Sequence, residues 1–258
     1  MGHQKAALEL LTKLYTPQSV MQTPMGRMVL QWYGRFDVFI GIMGSFGTVL
    51  PREWFKSSIE YYESQTAAEP TNLGWKIELC AAKLRLISMD MSDLFGRGAR
   101  KEVTMEEYAA QYEQISDNLK NWKSSWDPAL EDPTYLVTDF PADHSPDPNA
   151  IINPFEPGVL YRPPLFASAI LTCEGHSIAL MHGSQSAIDH SEETMKELRE
   201  RAYAICRICE TVEFWPSSPP GSLIILHPCL AIASLFVPRD ARHHMWIRRK
   251  FALLEVMG

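Results

Sequence analysis

The cysteine and histidine residues are the side chains of this sequence from which a zinc-finger type of metal site would be built. Cys206 and Cys209 form a Cys-X-X-Cys pair, but neither a second cysteine pair nor a histidine pair stands at zinc-finger spacing. Structural zinc needs four ligands. His176 and His182 are six residues apart, so they would not share one face of a helix. We therefore predict no bound metal, and we interpret the two cysteines as core packing residues.

The common catalytic and cofactor motifs are missing from the sequence. It has no nucleophile elbow, no phosphate-binding loop, no dinucleotide glycine motif and no His-Glu-X-X-His. We predict no cofactor and favour a protein that is not an enzyme, leaving the catalytic residues unassigned. An acid or base could still be drawn from a scattered set: Arg35, Asp37, His176, His182 and His227.

The segment from Gln31 to Phe55 combines aromatic and charged residues. Four apolar residues recur at helical spacing and predict a buried aromatic face: Trp32, Phe36, Phe39 and Met43. Arg35 and Asp37 place opposite charges in the same apolar helix, and buried charges need partners. We interpret them as structural residues that hold this helix against the segment beginning at Pro51.

A ligand site is the alternative interpretation of the same segment. Its candidate residues flank the glycine-rich break from Gly41 to Gly47: Trp32, Arg35, Phe36, Asp37, Phe39 and Trp54. The chain has 12 Met and 7 Trp residues, and Met adapts to irregular apolar shapes. A small apolar molecule could therefore bind between the helices, although the same residues could simply fill the core.

Hydrophobic spacing predicts helices along most of the chain. Three segments alternate steps of three and four: Ile77, Cys80, Leu84, Ile87, Met91, Leu94; Met105, Tyr108, Tyr112, Ile115, Leu119, Trp122; and Met195, Leu198, Ala202, Ile205, Cys209, Val212. Helix starts are indicated at Thr16-Pro17, at Thr23-Pro24, by the capping box Thr104 to Glu107, and at Ser191.

These signals predict an all-α fold with about nine antiparallel helices in a single domain, residues 1–258. The helices are expected near 4–15, 24–45, 51–66, 73–95, 104–123, 164–183, 192–215, 223–236 and 239–255. Residues 124–160 are rich in proline and acidic residues and predict a long loop. That loop could be an ordered connection or an acidic, hydrophobic interaction segment.

Charge and hydropathy exclude two classes of partner. A net charge of −7 and a pI near 5.6 argue against direct DNA contact by this segment, because phosphate binding needs clustered Lys and Arg. The one basic run, Arg239 to Lys250, contains apolar residues, so its helix should pack on one face and expose the other, with His243-His244 on the solvated face. The apolar stretches are too short to span a membrane.

Two stretches resemble the fungal-specific regulatory domain that follows the binuclear zinc cluster of fungal transcription factors. The first runs from Trp32 to Trp54 and contains Arg35-Phe36-Asp37, the glycine-rich break and Arg52-Glu53-Trp54. The second, from Leu235 to Lys250, is similar to a late helical segment of that family.

The resemblance implies an α-helical, nuclear and often homodimeric protein whose domain receives a signal from a small apolar effector or a co-regulator protein. The six-cysteine DNA-binding cluster of the family is absent from these residues, so DNA binding cannot be carried over to them. Either the cluster lies elsewhere on a longer chain, or the protein works without it. In the second case the domain could be a stand-alone, cytoplasmic enzyme of natural-product biosynthesis that catalyses a cyclisation or a similar shape-guided reaction.

Overall fold

The computed structural model describes residues 2–140, 147, 150–185 and 191–257. Within them it contains nine α-helices and no β-strand, which confirms the all-α prediction. Every helix lies within four residues of its predicted bounds. The helices are α1 (Gly2–Leu14), α2 (Pro24–Gly44), α3 (Arg52–Ala68), α4 (Leu73–Ala99), α5 (Met105–Ser124), α6 (Phe166–Ser184), α7 (Glu192–Phe214), α8 (Ser222–Ala233) and α9 (Ala241–Met257).

Three of the four capping signals found in the sequence lie at the starts of α-helices: Thr23, Thr104 and Ser191. Thr23 accepts a hydrogen bond from the Gly26 amide at 3.0 Å, and Thr104 forms the predicted capping box with Glu107. A side-chain oxygen at these positions satisfies amides that the first turn leaves without partners. The signal at Thr16 differs, because it precedes only a short 3₁₀ helix, Ser19–Gln22.

The chain divides into two compact units, Met1–Asp127 and Pro128–Gly258; the single domain stays a prediction. In the first unit, the consecutive helices α3, α4 and α5 run antiparallel. Arg52 pairs with Asp90 and Lys83 with Glu63, so α3 and α4 run in opposite directions. The Trp122 indole donates a hydrogen bond to the Cys80 carbonyl at 2.8 Å and ties α5 to α4.

The glycine-rich break from Gly41 to Gly47 packs closely against α4. A Cβ atom on Gly41 would lie 2.3 Å from the Ser92 hydroxyl, and one on Gly96 would lie 2.7 Å from the Gly47 amide. Gly47 has a φ of +83°, a region that glycine adopts without strain. Glycine at these positions therefore allows the backbones to approach closely, instead of forming an open hinge.

In the second unit, α6 to α9 pack together with the proline-rich segment. Apart from Ser124, where α5 ends, the described part of 124–160 contains no α-helix, as predicted, but residues 141–146 and 148–149 lie outside the described residues. Leu130, Val137 and Leu160 are buried, and the Val137 amide donates a hydrogen bond to the Leu160 carbonyl at 2.8 Å. The described part of this segment is therefore an ordered connection, which favours the first of its two interpretations.

The basic run of α9 has the two faces predicted for it. Trp246, Lys250 and Leu254 are buried, while Arg248 and Arg249 are exposed. The prediction for His243 was wrong, because this side chain is buried with Trp246 whereas His244 faces solvent. Among the described residues, none of the helices is long and apolar enough to cross a membrane.

Candidate functional sites

Helix α2 is apolar on two opposite faces, and the aromatic face points outward. Trp32 is 69% exposed, and its ring stacks on that of Phe36 with centroids 5.9 Å apart. Phe36 and Met43 are also exposed, and Phe39 is half-buried. The prediction of a buried aromatic face was therefore wrong. The opposite face is the buried one, and it carries Leu30, Tyr33, Gly34, Asp37, Val38, Gly41 and Ile42.

Small residues explain which face of α2 packs inward. Gly34 and Gly41 are seven residues apart, so they lie on the same side of the helix. There they let α2 approach its neighbours more closely than Trp32 and Phe36 would allow. Hydrophobic spacing alone could not distinguish the two faces, because both repeat at helical intervals.

Asp37 is a buried structural carboxylate. It is 0% exposed and accepts hydrogen bonds from the Val49 and Leu50 amides at 2.9 and 2.8 Å and from the Gln4 side-chain amide at 3.1 Å. Burial raises its pKa, whereas these hydrogen bonds lower it. The Tyr33 hydroxyl donates to the Gln4 carbonyl, and burial raises the pKa of Tyr33 to about 12. Asp37 thus joins α1, α2 and the segment before Pro51, which agrees with the structural interpretation.

The six residues predicted to bind a ligand do not share one environment. Asp37 and Trp54 are buried, Arg35 and Phe39 are half-buried, and Trp32 and Phe36 face solvent. Positions 35 and 37 are two residues apart, so their side chains leave the helix in different directions. Two cavities lie elsewhere, of about 280 Å³ beside Trp122 and about 390 Å³ beside Lys250. Neither of these two is lined by the six residues.

The larger cavity adjoins a buried cluster of charges between α7 and α9. The Lys250 ammonium contacts the carboxylates of both Glu210 and Glu213, and Lys250 and Glu210 are almost fully buried. Burial raises the pKa of Glu210, while the Lys250 charge acts in the opposite direction. Perturbed, buried charges beside a cavity are a feature of functional sites, although structural ion pairs share it.

A second polar group lies seven residues earlier on both helices. The Asp240 carboxylate contacts His243 Nδ1 at 2.8 Å, and His243 Nε2 contacts the Tyr203 hydroxyl at 2.6 Å. Hydrogen bonds from the His243 backbone amide and from its ring lower the pKa of Asp240. Because Tyr203 faces His243 and Glu210 faces Lys250, α7 and α9 run parallel along a polar seam.

Glu210, Glu213 and Lys250 were not among the site residues predicted from the sequence. One signal was available, because His243, Trp246, Lys250 and Leu254 follow steps of three and four that predict a shared face. A lysine on such a face needs a buried partner or a route to solvent. Its partners on α7 could not be found without knowing which helices meet.

The cysteines and histidines singled out in the sequence are dispersed. Cys206 and Cys209 are fully buried in α7, as predicted, and the described residues contain no group of three or more potential ligands that could hold a metal ion. In α6, His182 is buried and His176 half-buried, while His227 in α8 is exposed with its ring 5.5 Å from that of Phe251.

Comparisons of the chain with protein-family models, with curated proteins and with solved structures give no match. The resemblance to the fungal regulatory domain therefore rests on the quoted residues alone.

Proposed function

We propose that this chain is the regulatory domain of a fungal transcription factor and that it binds a co-regulator protein through the outward face of α2. The observation that supports this proposal is the exposure of this apolar face, which we call the α2 stripe. Its exposed members are Met25, Met28, Val29, Trp32, Phe36 and Met43, and Phe46 follows just beyond the helix. The stripe lies in the tract that resembles the family, and the proposed location is the nucleus.

The size of the α2 stripe supports a protein partner. The seven side chains are between 37% and 69% exposed, which leaves roughly 700 Å² uncovered at ~200 Å² for each large side chain. The largest apolar patch on a typical monomer is about 300–600 Å², and a standard interface covers about 800 Å² on each partner. The stripe therefore has the area of an interface.

The shape of the α2 stripe favours a helical partner. It runs ~27 Å along one helix at 1.5 Å per residue. Apart from the adjacent Met28 and Val29, successive members are three, four or seven residues apart and so share one side of the helix. A second amphipathic helix can pack its own ridges into such a surface. Three of the seven side chains are Met, whose flexibility suits recognition of a partner helix. DNA contact is assigned to another module of the factor, because this chain is acidic.

A stand-alone biosynthetic enzyme is the second candidate function. The observation that favours it is the cavity beside Glu210, Glu213 and Lys250, where acidic and basic groups meet apolar walls. Such an enzyme would have no effect on transcription when brought to a promoter.

A promoter-tethering experiment separates the two functions. The whole chain is fused to an unrelated DNA-binding domain, and reporter output in a fungal cell is compared with that of the DNA-binding domain alone. We expect the fusion to change the output several-fold. Trp32→Asp should abolish the change, whereas Met105→Asp, which alters an exposed Met at the start of α5, should preserve it. Unchanged output from a stably expressed fusion would rule out the regulatory proposal.

Light scattering distinguishes a co-regulator from a second copy of this chain. A monomer at micromolar concentration fits the proposed partner. A dimer that Trp32→Asp dissociates would mean that the α2 stripe binds itself, and it would replace the co-regulator in the proposal.

A further inference from the structure

We propose that the second unit binds a small organic cation, a substituted ammonium with an apolar body, in the cavity between α7, α9 and the segment around Phe155. This inference does not depend on the α2 stripe or on a regulatory role. It rests on the charges, the aromatic rings and the volume of the cavity, which has space for about 390 Å³.

The charges that line the deep part of the cavity are unbalanced. Lys250 contacts the carboxylates of both the buried Glu210 and the half-buried Glu213, so a single lysine faces two carboxylates. At the rim, Arg249 pairs with Asp147 at 2.7 Å and is engaged there. A ligand cation near Glu213, whose side chain is the more exposed of the two glutamates, would supply the second positive charge. Burial strengthens this attraction because it excludes water.

Two phenyl rings form an aromatic corner in the same cavity. The rings of Phe155 and Phe214 lie 5.8 Å apart at an angle of 75°, and both residues line the cavity. The Lys250 ammonium already lies 5.4 Å from the centre of the Phe214 ring. Aromatic faces attract cations, and substituted ammonium groups are recognised by such surfaces. The two phenyl rings and the two carboxylates therefore favour the same kind of ligand, a substituted ammonium.

The remaining walls define the rest of the ligand. Leu253 and Pro154 add apolar surface, which suits an aliphatic or aromatic body attached to the nitrogen. An anion would meet Glu210 and Glu213 without a free cation to receive it, since Lys250 is already engaged. A neutral apolar molecule could occupy the volume but would leave the excess carboxylate charge unchanged. The geometry thus ranks a cation above its neutral and anionic analogues.

Three probes of nearly the same shape test this ranking. Choline carries a quaternary ammonium, and neohexanol (3,3-dimethylbutan-1-ol) has carbon in place of that nitrogen. The third probe, tert-butylacetate (the 3,3-dimethylbutanoate anion), carries a negative charge. Calorimetric titration of the whole chain should give choline an affinity at least about tenfold above that of neohexanol, with no binding of tert-butylacetate. Choline should also raise the melting temperature with increasing concentration.

Two variants assign the binding to this cavity. Glu213→Gln should reduce the choline affinity about tenfold, and Phe214→Leu should reduce the preference for choline over neohexanol. Glu200→Gln is the matched control, because it removes one negative charge from an exposed position on α7 and should leave the affinity unchanged. The proposal is overturned if choline does not bind, if neohexanol or tert-butylacetate binds equally well, or if Glu213→Gln has no effect in a variant that unfolds like the parent chain.

Discussion

Helix α2 and the seam between α7 and α9 differ in where their chemically informative residues lie. In α2 the aromatic side chains form the outer face, and a single carboxylate is held inside by two backbone amides and one glutamine. At the seam charged groups lie inside, beside a cavity, while Arg248 and Arg249 are among the exposed residues of α9. The first arrangement suits a protein partner, and the second suits a small molecule.

The difference between the two regions predicts different responses to mutation. Changes at the seam and on the inner face of α2 should reduce stability, because they disturb buried polar groups or tight packing. Changes on the α2 stripe should affect binding alone.

The largest loss of stability is expected from Lys250→Met. It leaves the buried Glu210 beside the half-buried Glu213 without a cation, which should lower the free energy of unfolding by about 3–5 kcal/mol. Urea denaturation measures the loss. Adding Glu210→Gln should restore part of the stability, while Arg248→Met, at an exposed position of α9, should change it by less than about 0.5 kcal/mol. A small loss for Lys250→Met would mean that the cluster is hydrated.

Asp37→Ala should cost about 3 kcal/mol, because it leaves the Val49 and Leu50 amides and the Gln4 side chain without their acceptor. Asp37→Asn retains one acceptor oxygen and should cost less. Arg35→Ala should also lower stability, by a smaller amount, since Arg35 is only half-buried. Thermal and urea unfolding test all three variants. Unchanged stability together with loss of an activity would assign Asp37 to a functional site.

Gly41→Ala should lower stability by about 2 kcal/mol, because the new methyl group would clash with the Ser92 hydroxyl and the Gly47 carbonyl. Gly34→Ala is the matched substitution on the same face of α2. Its methyl group would lie 3.6 Å from the Phe55 ring, an ordinary contact, and Ala favours helix over Gly. We therefore expect Gly34→Ala to be neutral or stabilising, and equal losses at both positions would contradict the tight turn.

The raised pKa of Glu210 predicts a pH dependence with a definite sign. The folded state holds this proton to a higher pH than the unfolded state, whose carboxyl titrates near 4.5. The Glu210 contribution to stability is therefore complete below that pH and is lost as pH rises through the folded pKa. Comparison of urea unfolding between pH 4 and 8 should show a shallower decline in Glu210→Gln than in the parent chain. Parallel curves would contradict the raised pKa.

The sequence predicted the helices well but not the charged cluster of Glu210, Glu213 and Lys250, for separate physical reasons. Capping residues such as Thr104 and hydrophobic repeats such as Leu198 to Val212 are local signals. The bounds of the helices could therefore be predicted from neighbouring residues. The partners of a buried charge are not local. Glu210 and Lys250 are 40 residues apart in the sequence, and only the packing of α7 on α9 brings them together. The prediction that Trp32 and Phe36 are buried was wrong for a third reason. Helix α2 has two apolar faces, and its glycines determine which one packs inward.

Stability and reporter output measured on one variant of the α2 stripe test whether this surface binds the co-regulator. Replacing Trp32 and Phe36 together by Ser removes the exposed ring pair from the α2 stripe. We expect a change of no more than about 0.5 kcal/mol in the free energy of unfolding and loss of the reporter response of the tethered chain. A loss of several kcal/mol would show that the stripe is part of the core, and an unchanged reporter response would show that it is not the surface that binds the co-regulator.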